Sequence, residues 1–317
     1  MNLESKNDEI LWAQKYRPSR IQDTILPEKT KKSFQNFIDN KSIPNLLLSG
    51  PPGTGKTTAA IAMLKELDCD YMIINGSLDG NMDTIRNDIT TFASSVSFSG
   101  GRKYVIIDEA DYITSKAQAS FRNFVEEYSK NCGFIFTCNY KNRIIEPLRN
   151  SRFSNVDFVI ENEEKPKLAG QFFKRVIAIL KEENVEYEQK IVAKVIEKFF
   201  PDFRRVLTEL QSYAGTGKID EGILINVKQE TVEQLFSILK KKEFDAMINW
   251  CDDNSDQDAN ELFEKIYRTS VTLVKKNALP GFIVELGKYS YQHSMVANPT
   301  INLCAFLTVV MFEAEYV

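Results

Sequence analysis

Between residues 46 and 160 the chain alternates between two hydrophobic patterns. Short, unbroken apolar runs recur at Leu46–Ser49, Tyr71–Asn75, Tyr104–Asp108, Phe134–Cys138 and Val156–Ile160. Runs of this length with no polar alternation predict strands buried on both faces. The stretches between them carry apolar residues at helical spacing. On Asp83–Phe98, for example, Ile85, Ile89, Phe92, Ala93 and Val96 fall on one stripe, with Arg86, Thr90, Ser94 and Ser97 away from it. Strand and helix in alternation predict an α/β domain with a five-stranded parallel sheet and helices on both faces. Ligands of such sheets bind beyond the carboxyl ends of the strands. After Glu161 the strand pattern stops, and Asn162-Glu163-Glu164-Lys165-Pro166 reads as a polar linker.

From there the periodicity is helical. Lys167–Glu183 sets Phe172, Phe173, Val176, Ile179 and Leu180 on one face, and Glu188–Phe199 does the same with Ile191, Val192, Val195 and Ile196. Asp202 is suited to cap a third helix carrying Val206, Leu207 and Leu210, and Gly215-Thr216-Gly217 reads as a turn. Thr231–Val317 forms a second helical unit. Its last helix, about Thr300–Glu313, is apolar nearly all round, which predicts burial on several sides, in a domain core or at a subunit interface.

Composition narrows the function classes. A chain of 317 residues holds two or three domains. With 40 basic against 44 acidic residues, any nucleic-acid contact has to be a local patch. Cys69, Cys132, Cys138, Cys251 and Cys304 are scattered without a C-x-x-C pair, which argues against a zinc ribbon or a disulfide framework. His293 is the sole histidine, so a His-based metal site or triad is excluded. Met1-Asn2-Leu3-Glu4-Ser5 lacks a signal-peptide core, and no run of 18 apolar residues occurs. The expected location is the cytoplasm, that of the host cell if a phage encodes the chain.

Residues 50–57, Gly-Pro-Pro-Gly-Thr-Gly-Lys-Thr, complete a phosphate-binding loop between the first strand and a helix expected over Thr58–Leu67. Gly50, Gly53 and Gly55 let the backbone curl its N–H groups toward one spot, and the helix adds the positive end of its dipole. Lys56 suits the β- and γ-phosphates, and the Thr57 hydroxyl suits Mg²⁺. The run Tyr104–Asp108 ends in two acids. Asp108 suits Mg²⁺ through its waters, and Glu109 suits a base acting on the attacking water. Asn139, ending the next strand, is placed to position that water. Arg152 follows a short helix near Ile144–Asn150, from which it is placed to reach a neighbouring subunit's γ-phosphate. Arg204, at the start of a lid helix, is placed to reach the γ-phosphate of its own subunit.

These motifs, in this order, resemble those of the AAA+ ATPases, and within them the clamp loader subunits of the replication factor C type. Trp12-Ala13-Gln14-Lys15-Tyr16-Arg17-Pro18 is similar to the family's W-x-x-K-Y-R-P, and Ala117-Gln118-Ala119-Ser120-Phe121-Arg122 to A-Q-x-A-L-R. Ser151-Arg152-Phe153 resembles S-R-C with Phe in place of Cys, and Phe203-Arg204-Arg205 resembles the second-sensor motif. Short length and Phe-Pro-Asp-Phe-Arg at 200–204 make the chain most like the large subunits of T4-type phage clamp loaders. Pro201 and Phe153 depart from cellular relatives.

The resemblance implies an AAA+ nucleotide-binding domain over residues 1–161, a helical lid over 162–228 and a helical collar over 229–317. It implies an ATPase using ATP and Mg²⁺, with nucleotide held by Tyr16 and Arg17 beside the adenine and by Gly50, Pro51, Pro52, Gly53, Thr54, Gly55, Lys56, Thr57 and Thr58. The implied catalytic set is Lys56, Glu109, Asn139, Arg204 and, in trans, Arg152. The implied partners are further copies of the chain and a distinct small subunit in a pentameric ring, a ring-shaped sliding clamp, and primer–template DNA. Loading the clamp during replication is the implied function, with no membrane involved.

The helix over 83–98 presents Arg86 followed by hydroxyls, a pattern suited to phosphate contacts that read no base, with Lys103 and Lys116 as weaker candidates. Asp108-Glu109-Ala110-Asp111 spells the tag of the DEAD-box helicases, but those need a second α/β domain, and here helices follow. Two other readings stay open: a different AAA+ machine, such as a helicase loader or branch-migration motor, and a nucleotide-binding scaffold without catalysis. Intact Lys56, Thr57, Asp108 and Glu109 argue against the scaffold.

Overall fold

In the computed structural model, residues 10–77, 82–97, 101–215, 217–223, 232–254, 259–293 and 295–317 are described. Residues Met1–Ser5, Phe98, Thr216 and Thr231, which entered the sequence analysis, lie outside them, as does the boundary expected at residue 228. The chain divides into two compact units, residues 1–223 and 224–317.

The first unit is built on β1 (Leu46–Ser49), β2 (Tyr71–Asn75), β3 (Lys103–Asp108), β4 (Cys132–Cys138) and β5 (Ser154–Asp157). They form one sheet in the order β2-β3-β4-β1-β5, every neighbouring pair parallel. The side-chain period of a strand divides the apolar runs between two cores. Leu46, Leu48, Ile106 and Ile135 face one side with Ala59, Ala60 and Met63, whereas Leu47, Val105, Ile107, Phe134 and Phe136 face the other with Ile89 and Phe121. These helical residues come from α3 (Lys56–Glu66), α4 (Met82–Ser94) and α5 (Ser115–Glu127). Ahead of the sheet stand α1 (Trp12–Lys15) and α2 (Glu28–Asp39), and α6 (Glu146–Arg149) precedes β5.

Several elements differ from the sequence expectation. The last strand is Ser154–Asp157 rather than Val156–Ile160. Its partner β1 is only Leu46–Ser49, so ladder pairing ends where β1 turns into the phosphate loop. The helix after that loop starts at Lys56, where its positive dipole end is expected and two residues ahead of the apolar run from Thr58; Gly55 before it adopts a left-handed conformation (φ 91°). Val96 lies beyond the end of α4 and is exposed, outside the apolar stripe. Lys103 is buried, its ammonium over the Phe92 ring and bonded to Phe92 O (3.0 Å) and Ser95 Oγ, so it is a structural cation and not a DNA contact.

The expected linker is shorter than 162–166, since α7 (Lys165–Glu182) starts at Lys165 with Pro166 in its first turn, where a missing N–H costs nothing. It packs with α8 (Gln189–Phe199) and α9 (Phe203–Ala214). Strands do not stop at Glu161: β6 (Glu186–Tyr187) and β7 (Lys218–Ile219) pair in parallel.

In the second unit, α10 (Val232–Lys241), α11 (Phe244–Asp253), α12 (Ala259–Leu273), α13 (Leu279–His293) and α14 (Pro299–Glu313) surround a core containing Trp250, Phe282 and Phe306. Leu303, Phe306, Leu307, Val310 and Met311 are buried on α14, but Ile301 and Phe312 are 66% and 62% exposed, so this helix keeps one open side within the chain.

Candidate nucleotide site

The carboxyl ends of β1, β3 and β4 meet the lid helices around a cleft of about 1090 Å³, open mouth included. Its lining contains Pro52 to Thr58, Asp108, Glu109, Asn139 and Arg204 at one end and Tyr16, Arg17 and Pro18 at the other.

Lys56 is 8% exposed, and its Nζ donates to Gly50 O (2.8 Å), Pro51 O (2.8 Å) and Asn139 Oδ1 (2.9 Å). Burial lowers its pKa to about 8; electrostatic interaction with Cys138, Asp108 and Asp111 opposes that, and Arg204 adds to it. An ammonium in this position is stabilised by phosphate oxygens entering the loop. Asp108 Oδ1 accepts from the Thr57 hydroxyl (2.6 Å) and from the Thr137 hydroxyl (2.5 Å). A hydroxyl beside one carboxylate matches the sparse protein ligation typical of Mg²⁺, which retains waters and substrate phosphates. Among the described residues no group of three or more His, Cys, Asp or Glu is placed to hold a metal ion.

Glu109 follows β3 in a left-handed conformation (φ 55°), and its N–H donates to Thr137 Oγ1 (3.1 Å). Such a backbone costs on the order of 1 kcal/mol for a residue with a Cβ. Thr137 therefore fixes both acids. Asp111 is 6% exposed and its Oδ2 accepts from the N–H groups of Asn139 (3.2 Å) and Tyr140 (3.1 Å). It holds the turn that carries Asn139. Neither Thr137 nor Asp111 was singled out from sequence: a strand threonine is ordinary, and residues 108–111 resembled an unrelated tag.

Asp202 does cap α9, accepting from Arg205 N–H (2.9 Å). The same turn docks on the phosphate loop, Phe203 N–H donating to Gly53 O (3.1 Å). A Cβ on Gly53 would stand 1.8 Å from Asp202 Oδ1, and Gly53 itself has φ 71°. Glycine is therefore required for this approach. The docking sets Arg204 on the cleft wall.

At the other end, Tyr16 and Lys15 both reach Glu183, with Tyr16 Oη donating at 2.5 Å and Lys15 Nζ at 2.8 Å. Burial, reinforced by Glu183, raises the Tyr16 pKa well above its ordinary value. Arg17 lines the cleft with a buried Nε that has no hydrogen-bond partner among the described residues. Trp12 N–H donates to Gln211 Oε1 (2.9 Å), so the amino-terminal segment is tied to α7 and α9 at once. Arg175, on α7, also lines the cleft and was not read from sequence.

Arg152 and Arg86 are not brought to the cleft. Arg152 ion-pairs with Glu126 and donates to Pro147 O (2.8 Å). Arg86 is exposed on α4 and donates to Ser120 Oγ on α5. Phe153 is buried against Phe136, with ring centroids 4.6 Å apart. Among the described residues no helix is long and apolar enough to cross a membrane.

Comparison with known proteins gives concordant results. The family model for AAA, ATPases associated with various cellular activities, matches residues 46–161. The model for the AAA+ ATPase lid domain of the sliding-clamp-loader large subunit matches residues 164–225. The sliding-clamp-loader large subunit of Enterobacteria phage T4 is 39% identical over 324 residues, covering 97% of this chain and 98% of that protein. The replication factor C small subunit of Archaeoglobus fulgidus is 29% identical, covering 94% and 96%. Among solved structures, a Thermotoga maritima RuvB mutant superposes with a TM-score of 0.56 at 16% identity over 82% of this chain and 93% of that one, a likeness of fold.

Proposed function

The chain belongs to the AAA+ ATPases of sliding-clamp loaders, and from that membership we propose how its cleft uses ATP to load a clamp on DNA. It is an ATPase subunit of a multi-subunit loader that acts in DNA replication. The near full-length likeness to a phage loader subunit carries this conclusion, and a helicase loader or branch-migration motor is not favoured.

ATP is the substrate in this reading, with Mg²⁺ held by Thr57 and Asp108. When bound, the ion neutralises charge developing on the phosphate oxygens. Gly53 to Thr58 cradle the phosphates through backbone N–H groups, Pro51 and Pro52 having none to donate. Lys56 exchanges Gly50 O, Pro51 O and Asn139 Oδ1 for phosphate oxygens. Asn139 is then released to orient water, and Glu109, held by Thr137, takes that water's proton as its oxygen bonds to the γ-phosphorus and the bond to ADP breaks, ADP being the leaving group. Arg204 reaches the γ-phosphate from its own lid, while Arg152 completes the site of a neighbouring copy after leaving Glu126. Tyr16 and Arg17 border the adenine.

The loader is a pentamer in this reading: copies of this chain with one distinct small subunit, joined through the helical unit of residues 229–317, with 1–161 as the nucleotide domain and 162–228 as the lid. ATP binding holds the clamp open, and primer–template DNA triggers hydrolysis. Arg86 tracks the DNA backbone. Host cytoplasm is the expected location for a phage loader.

The roles separate in two variants. Lys56→Ala should lose tight ATP binding, whereas Glu109→Gln should bind ATP normally and turn over about 10²–10⁴-fold more slowly. Equilibrium binding and single-turnover hydrolysis read the two effects, and a wild-type rate in Glu109→Gln would remove Glu109 as the base.

A further inference from the structure

One side chain that lines the cleft has no place in the phosphate machinery. Arg175 lies on α7 three residues after Phe172 and four before Ile179, so the three share a helix face. Phe172 and Ile179 are buried and also line the cleft. Arg175 is half-buried and has no side-chain hydrogen bond or ion pair among the described residues. Burial lowers its proton affinity, and the charge of Asp23 raises it. A guanidinium keeps its charge under such conditions, and burying it unpaired is costly.

The course of α7 indicates which part of a nucleotide it meets. Near its middle, Phe172 packs on Phe203, ring centroids 4.7 Å apart, and Phe203 is bonded to the phosphate loop. Just past its end, Glu183 holds Tyr16. Arg175 lies between these two points, and Asp23, whose charge it feels, directly precedes Thr24, Ile25 and Leu26, which also line the cleft. We propose that Arg175 binds the base and ribose of the nucleotide, its planar guanidinium stacking on the purine or donating to the ribose hydroxyls. Both interactions suit arginine and are poorly served by lysine. Because the residue belongs to the lid, this contact draws the lid toward the base, complementing the pull of Arg204 on the γ-phosphate. The inference rests on the reading of the cleft as an ATP site.

The test is equilibrium binding of ATP, ADP and inorganic tripolyphosphate to the full chain and to Arg175→Ala. The expected result is an equal loss of affinity for ATP and ADP, about tenfold to a hundredfold for a charge-assisted contact, with tripolyphosphate unaffected. Loss confined to ATP, an equal loss of all three ligands, or no loss overturns the assignment. If Arg175→Ala does not fold, as judged by thermal unfolding without nucleotide, Arg175→Lys carries the test and should weaken ATP and ADP alike. A wild-type chain that bound no ATP would instead overturn the ATP-site reading itself.

Discussion

In the proposed mechanism, two charged side chains leave the partners that hold them in this structure. Lys56 is bonded to Gly50 O, Pro51 O and Asn139, and its buried ammonium titrates at about 8. Phosphate favours the protonated form, so binding takes up a proton wherever Lys56 is neutral beforehand. ATP affinity should therefore stay flat from pH 6.5 to about 8 and fall above it, approaching a tenfold loss per pH unit. Titration calorimetry across that range checks this, and a flat profile up to pH 9.5 would remove Lys56 as the titrating group. Arg152 is held by Glu126, whose side chain is 61% exposed, so the pair contributes little to stability, under about 1 kcal/mol. Glu126→Gln should leave thermal stability nearly unchanged and keep assembled turnover at or above wild type, whereas Arg152→Ala should lose turnover. A large loss in Glu126→Gln would mean that Glu126 positions Arg152 for catalysis rather than restraining it.

Among the elements, those legible in the sequence were the ones whose apolar run is itself the structural cause. β1 to β4 were readable because a short Val/Ile/Leu/Phe run between turn signals has few other uses. α9 was readable because Asp202 is a cap with a mechanism. The phosphate loop, Asp108, Glu109 and Asn139 were expected to meet, and the carboxyl ends of neighbouring strands bring them into one cleft. β5 was misplaced because it is an edge strand of polar residues, and its extent is set by the length of β1 rather than by its own composition. Lys103 looked like a surface cation, and its burial over Phe92 depends on how α4 crosses β3. Arg175 was not read from the sequence, because the periodicity of α7 does not show that its face lines a cleft. The exposed face of α4 also gives a prediction. Arg86 is bonded to Ser120, so α4 and α5 present their polar groups together. Arg86→Ala should leave basal ATPase intact and flatten the dependence of log K for DNA on log salt by about one unit. An unchanged salt slope in a fluorescence titration would return α4 to an ordinary solvated surface.

At the scale of the whole molecule, the lid docks on the phosphate loop through Phe203 and Gly53, and the amino-terminal segment is fastened to the lid through Glu183 and Gln211. The cleft is therefore lined jointly by the amino-terminal segment, the phosphate loop and the lid helices. The rest of the active site comes from another copy if Arg152 acts in trans. Mixing Arg152→Ala subunits with Glu109→Gln subunits should then restore turnover from two inactive parents, because a Glu109-intact site gains Arg152 from its neighbour. Absence of any restored rate in mixed rings that demonstrably assemble would exclude the trans role. The central claim is that hydrolysis waits for both the clamp and the DNA. It is tested most directly by steady-state phosphate release from the assembled loader, measured alone, with clamp, with primed DNA, and with both. The account predicts a low rate alone and the highest rate only when clamp and primed DNA are present together; equal rates in all four conditions would contradict it.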